Sequence, residues 1–149
     1  MERGLSVAKL GGPDIDPAFA LIQALYPDLA LDDWRTFAGL LTRRPSPRQC
    51  GMVGVRNEAG YLCGLFTYHV EPSLRCGHAL VVDVLAALDV MDVKAVMRMI
   101  LDTILSTASR QQCGIAYVRL GSEQEAFARF LVEGGLQLEG QLLSTRISI

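Results

Sequence analysis

The residues best suited to proton transfer in this chain are Tyr68, His69 and Glu71, in the stretch TYHVE, and Asp83, in ALVVDVLAALDV. Histidine changes charge near neutral pH and serves as a general base or acid. If the first stretch is extended, His69 shares a face with Thr67 and Glu71 and opposes Phe66 and Tyr68. Asp83 interrupts an apolar run. A carboxylate in such a setting either finds a partner or resists ionisation, and resistance suits a general base. Plainer alternatives stand beside these: a strand-end histidine facing solvent, and a structural carboxylate bonded to a backbone amide or an arginine.

A second candidate is the stretch LAALDVMDVKAVMRMIL, residues 85–101, which reads as a buried strand, a short turn and an amphipathic helix. Turns of this kind often hold a phosphate on the free N–H groups of the helix start. Here the turn contains no glycine and carries Asp89 and Asp92. Asp92 is placed as an N-cap. Its carboxylate would take N–H groups that a phosphate needs and would repel the anion. At about 5 Å and an effective dielectric of ~20, two unit charges repel by about 3 kcal/mol, roughly two orders of magnitude in affinity. Lys94 and Arg98 can offset part of this.

The four cysteines, Cys50, Cys63, Cys76 and Cys113, are scattered and form no CxxC pair. Without an export signal they are expected to be reduced. Cys63, His69, Cys76 and His78 match no compact zinc spacing, and Cys63 and His69 would stand about 20 Å apart on one extended strand. No metal is expected. GxSxG is absent, so no nucleophilic triad is signalled.

The elements that must position these groups follow from pattern. The chain has 149 residues, half of them apolar and a fifth charged, with a net charge of −2. This describes one globular domain with a core of its own and gives no electrostatic reason to expect nucleic acid or an anionic membrane. Arg43, Arg44 and Arg48 are close together, but a solvated helix end accounts for them. No signal peptide is visible, and the apolar run 79–90 is too short to span a bilayer, so a cytoplasmic location is expected.

Residues 5–10 suit a strand. Asp16-Pro17 opens a helix that ends at Pro27, with Phe19, Ile22 and Tyr26 on its apolar face and Leu21 and Leu25 beside them. A second helix starts at Asp32 or Asp33, buries Trp34, Phe37, Leu40 and Leu41, and stops at Pro45. Two strands follow, joined by the hairpin loop Asn57-Glu58-Ala59-Gly60. The next strand is apolar on both faces, which marks a central position. Asp92 caps a long helix burying Val93, Val96, Met97, Ile100, Ile104 and Leu105. GIAYVRL is a further strand, and Ser122 and Glu125 suit a capping box. The last helix buries Phe127, Phe130 and Leu131 and ends at Gly134-Gly135. The tail suits one or two closing strands. The order is β-α-α-β-β-β-α-β-α-β, with room for one more strand, in an α/β or α+β layered architecture.

This order, with NEAGYLCGLFTYHV as the second and third strands, ALVVDVLAALDV as the fourth and EAFARFLVEGGLQLEG as the last helix and following strand, resembles the GNAT superfamily of acyl-CoA-dependent N-acyltransferases. The resemblance covers nearly the whole chain and rests on pattern more than on motif. It implies a mixed, mainly antiparallel sheet with helices on both faces, whose fourth and fifth strands splay to admit the pantetheine arm of acetyl-CoA. By position, Leu85, Ala86 and Ala87 would line that arm, Met91, Asp92, Val93, Lys94, Ala95 and Val96 would hold the diphosphate, and Gln124 would join the cofactor site. Asp83 falls nearest the family's fourth-strand glutamate base, with His69 and Glu71 as further catalytic candidates. Leu131 replaces the tyrosine that often protonates the leaving thiolate, and the usual glycine-rich loop is missing.

The resemblance implies transfer of an acetyl group to a small-molecule or peptide amine by direct attack on the thioester, in a protein that can form a homodimer. Two rivals remain open at this stage. One is a non-catalytic module of the same fold with a decayed cofactor loop, binding a ligand or a protein. The other is a small α/β transferase of a different fold.

Overall fold

The structure, a computed structural model, describes residues 4–43, 49–88 and 92–149. Five strands, β1 (Ser6–Lys9), β2 (Cys50–Arg56), β3 (Leu62–Ser73), β4 (Gly77–Ala87) and β5 (Ile115–Val118), lie side by side in chain order. The first four are antiparallel to their neighbours, and β5 runs parallel to β4. The sheet is therefore mixed and mainly antiparallel.

Helices α1 (Ile15–Leu25) and α2 (Leu31–Thr42) cover one face, and α3 (Val93–Arg110) and α4 (Glu125–Glu133) cover the other. The α1/α2 face is sealed by Ile22, Trp34, Met52 and Leu65, each at most 2% exposed. Burying side chains of this size contributes about 2–3 kcal/mol apiece. The Trp34 indole N–H donates to the Ile15 carbonyl at 2.7 Å, and Arg35 grips Asp16 through two hydrogen bonds, which fixes α2 against the start of α1. On the opposite face Phe66, Leu80, Leu85, Met97 and Ile100 form the second core.

β4 contains a bulge. Thr67 stands opposite Val84 and Tyr68 opposite Val82, so Asp83 is the extra residue in the ladder. Its effect is visible in the packing. Leu80 and Val82 point to the α3 side before the bulge, whereas Leu85 does so after it, with Val84 and Ala86 on the α1/α2 side.

The hairpin after β2 forms as expected, with Gly60 at φ +91° and the Asn57 side chain accepting from the Tyr61 N–H. Other details differ from the pattern. Leu40, Val93 and Leu105 are exposed at 53%, 36% and 50%, because each helix has room for one stripe against the sheet and α3 fills its stripe with Leu101 and Ala108. The box expected between Ser122 and Glu125 forms one residue earlier: the Gly121 N–H donates to Gln124 Oε1 at 3.1 Å, and a 3-10 turn over Ser122–Gln124 leads into α4. Residues 136–149 form no strand. Leu138, Leu142, Leu143, Ile147 and Ile149 are all exposed, so the tail has neither the paired edge nor the covered face that stabilises a strand. Met91 and the stop at Pro45 lie outside the described residues.

Candidate active site

The ladder between β4 and β5 covers only Ala79–Val82 on β4 and Ile115–Val118 on β5. One more bond closes it, from the Arg119 N–H to the Val82 carbonyl at 3.0 Å. Beyond that point β4 continues to Ala87 without β5, which ends at Val118. The bulged residue Asp83 sits at the fork. A bulge bends its strand and re-aims a side chain, and both effects fall where the strands part.

At the fork four charged or chargeable groups meet. His69 Nδ1 lies 2.7 Å from Asp83 Oδ2, and His69 Nε2 lies 3.2 Å from Glu71 Oε2. Arg119 Nη1 donates to the other Asp83 oxygen at 3.0 Å. The Asp83 side chain is 19% exposed, and those of His69, Glu71 and Arg119 are 33%, 43% and 47% exposed. Partial burial alone would lower the His69 pKa, but the hydrogen bonds and charges of Asp83 and Glu71 outweigh it and raise the pKa above the usual 6.5. The two carboxylates therefore favour the imidazolium form of His69 over the neutral ring. The alternation read from the sequence places His69 and Glu71 together; Tyr68 points to the α3 face, with its ring against Phe66.

Where β4 runs on past β5 a wedge-shaped cavity of about 350 Å³ lies between the end of β4 (Ala86, Ala87, Leu88), the turn and first residues leading into α4 (Gln124, Phe127) and the C-terminal half of α1. Its free edge is partly spoken for. Gln124, 5% exposed, donates its side-chain amide to the Leu85 carbonyl at 2.8 Å. At the start of α3 the Asp92 carboxylate accepts from the Ala95 N–H at 3.0 Å, so the expected cap is present. Lys94 is exposed. Arg98 lies over the Phe130 ring at 5.9 Å and points toward α4. Val96 is fully buried in the α3 core, leaving only its backbone for any ligand.

Beside the cluster, on the α1/α2 face, an apolar pocket of about 250 Å³ is lined by Tyr26, Leu29, Trp34, Phe37 and Val84, with Asp33 as its charged residue. Several residues of this region escaped the sequence. Arg119 has no motif; its signal is the unpaired acid in β4, which calls for a cation without saying which. Tyr26 reads as part of the apolar face of the first helix and Asp33 as a start of the second, with no sign that they share a pocket. Cys63 faces the α3 core and donates to the Val55 carbonyl, on the other side of β3 from His69. No helix among the described residues is long and apolar enough to cross a membrane.

No family model matches the sequence, and no curated protein matches it. Solved structures do. A ribosomal-protein-alanine N-acetyltransferase from Brucella melitensis biovar Abortus 2308 superposes with a TM-score of 0.76 at 15% identity, over 96% of this chain and 99% of that one. An aminoglycoside antibiotic 6'-N-acetyltransferase from Acinetobacter baumannii gives 0.77 at 9% identity, over 98% and 99%. An aminoglycoside N-acetyltransferase in complex with CoA gives 0.81 at 10% identity, over 100% and 99%. At such identities the likeness is one of architecture: this chain shares the fold of those solved N-acetyltransferases.

Proposed function

We propose that this chain transfers an acetyl group from acetyl-CoA to a small-molecule or peptide amine. The observation that carries the reading is the His69–Asp83–Glu71–Arg119 cluster at the fork where β4 leaves β5. Acetyl-CoA would supply the electrophilic thioester carbon. The wedge suits its pantetheine arm, with Leu85, Ala86, Ala87 and Gln124 along the walls. The start of α3, Asp92 to Val96 with Met91 before it, suits the diphosphate less well, because Asp92 holds the Ala95 N–H.

The chain's own part is proton handling. An incoming ammonium must lose a proton before its nitrogen can attack, and a second proton leaves as the amide forms. His69, in its neutral form, takes a proton on the ring nitrogen facing Glu71. Asp83 orients the ring and stabilises the imidazolium, while Arg119 keeps the Asp83 charge in place. The apolar pocket beside Val84, with Asp33 at its wall, suits an amine on an apolar stem. The exposed apolar side chains of the tail support a homodimer, which sedimentation would detect. Release of CoA thiol should be measured with a panel of amines. Turnover that falls at least a hundredfold in His69→Gln supports the reading, and turnover unaffected by that change removes it.

The Asp92 cap favours a second reading, a non-catalytic module of the same fold. It requires that no amine in the panel be acetylated and that acetyl-CoA produce no heat in calorimetry at millimolar concentration.

A further inference from the structure

A third cavity, of about 530 Å³, lies between β1 and the C-terminal half of α3. Its lining includes Lys9 and Arg110 and, among the described residues, contains no acid. Neither cation forms an ion pair among the described residues; the Arg110 guanidinium only donates to Thr107 Oγ1 at 3.3 Å. Two like charges facing one space without a counter-charge repel each other, and an anion between them relieves this.

Tyr68 also reaches this cavity. It is 3% exposed, and its hydroxyl has no hydrogen-bond partner among the described residues. A phenol O–H that opens onto a cavity can donate to an acceptor held there. Gly51 creates the room. A Cβ there would lie 2.9 Å from the Tyr68 hydroxyl and 3.0 Å from Lys9 Cε, so any side chain at this strand position would fill the space where the two converge. The remaining hydroxyls sort by their bonds. Thr103 and Ser106 donate to carbonyls of their own helix. Thr107 accepts from Arg110, which leaves its own proton available.

We propose that Lys9, Tyr68, Thr107 and Arg110 form a binding site for the phosphate group of a small phosphate monoester, separate from the β4–β5 wedge. Ammonium, guanidinium and two O–H donors suit the tetrahedral array of phosphate oxygens. The cavity is of the size that holds a metabolite rather than a bare ion.

The test is calorimetry with phenyl phosphate and inorganic phosphate on the full chain, with benzoate as a carboxylate control. Saturable binding of phenyl phosphate is expected, weakened about tenfold or more by Lys9→Met and by Arg110→Gln, since a hydrogen bond to a charged group is lost each time. Gly51→Ala should abolish it. Tyr68→Phe should weaken it without lowering thermal stability, because the hydroxyl it removes has no partner among the described residues, and so separates loss of ligand from loss of fold. His69→Gln should leave it unchanged. No binding, binding indifferent to Lys9→Met and Arg110→Gln, benzoate binding as tight as phenyl phosphate, or displacement of phenyl phosphate by CoA would each overturn the proposal. Failure here leaves the acetyltransferase reading untouched.

Discussion

Replacing Asp92 by asparagine removes a negative charge at the start of α3. The amide side chain would retain the oxygen that accepts from the Ala95 N–H at 3.0 Å, and asparagine caps helices about as well as aspartate. The charge goes. A phosphate docking on the neighbouring N–H groups would bring its own charge to about 5 Å from the carboxylate, where repulsion at a dielectric of ~20 is about 3 kcal/mol. Asp92 is exposed, and at physiological salt the screening length is about 8 Å, so about half that figure should survive. CoA should then bind roughly tenfold more tightly to Asp92→Asn than to the parent. The helix itself should lose only about 0.3–1 kcal/mol of charge–dipole stabilisation. Titration calorimetry with CoA and with pantetheine separates the causes, because pantetheine lacks the diphosphate and its affinity should not move. The CoA gain should also shrink in high salt. Equal affinities of the two proteins for CoA in low salt, or an equal gain for pantetheine, would refute the idea that this carboxylate opposes a diphosphate.

If His69 is the base, kcat/KM should rise with pH through a value above 6.5. Asp83→Asn and Glu71→Gln should move that limb to lower pH, since each removes a charge that favours the imidazolium. Stability carries the same group with the opposite trend: its pairing contributes fully below about 6.5, the unfolded value, and is lost as pH rises through the folded value, so the melting-temperature advantage over His69→Gln should fall across that window. Asp14 accepts from the Gly11 N–H and pairs with Arg56, which hold its pKa below 3.8 against the effect of burial. Its contribution should be present above that value and vanish as pH falls through the folded one, with Asp14→Asn flattening the acid limb of stability. Thr67 is fully buried, and its hydroxyl lacks a partner among the described residues. Thr67→Val should raise unfolding free energy by about 1–2 kcal/mol in urea, and a loss of that size would contradict it.

Periodicity carried most of the architecture. The two-residue alternation through 65–71 put His69 and Glu71 on one face, and the three- and four-residue spacing of Val96, Met97, Ile100 and Ile104 placed α3 on its sheet. Asp83 joined them from another strand because of a bulge, and a single unpaired residue in an apolar run leaves no mark in the sequence beyond its charge. Arg119 arrives from the far side of α3, a partnership set by topology alone. The capping box missed by one residue because glycine, which has no side chain to signal a cap, supplies the backbone N–H that Gln124 captures. The tail reads as strand by composition, yet strand formation depends on an available edge, which composition does not encode.

The bulge has a consequence for engineering. If Asp83 were deleted, Val84 would follow Val82 directly, and every later side chain of β4 would keep the face it has now, because the extra residue already absorbs the change of parity. Both cores would be spared, while the histidine and the arginine would lose the carboxylate that joins them. Few positions in a central strand allow a whole residue to be excised on such terms, and a folded protein lacking only its proton-handling centre would show how little the scaffold relies on the group at its fork.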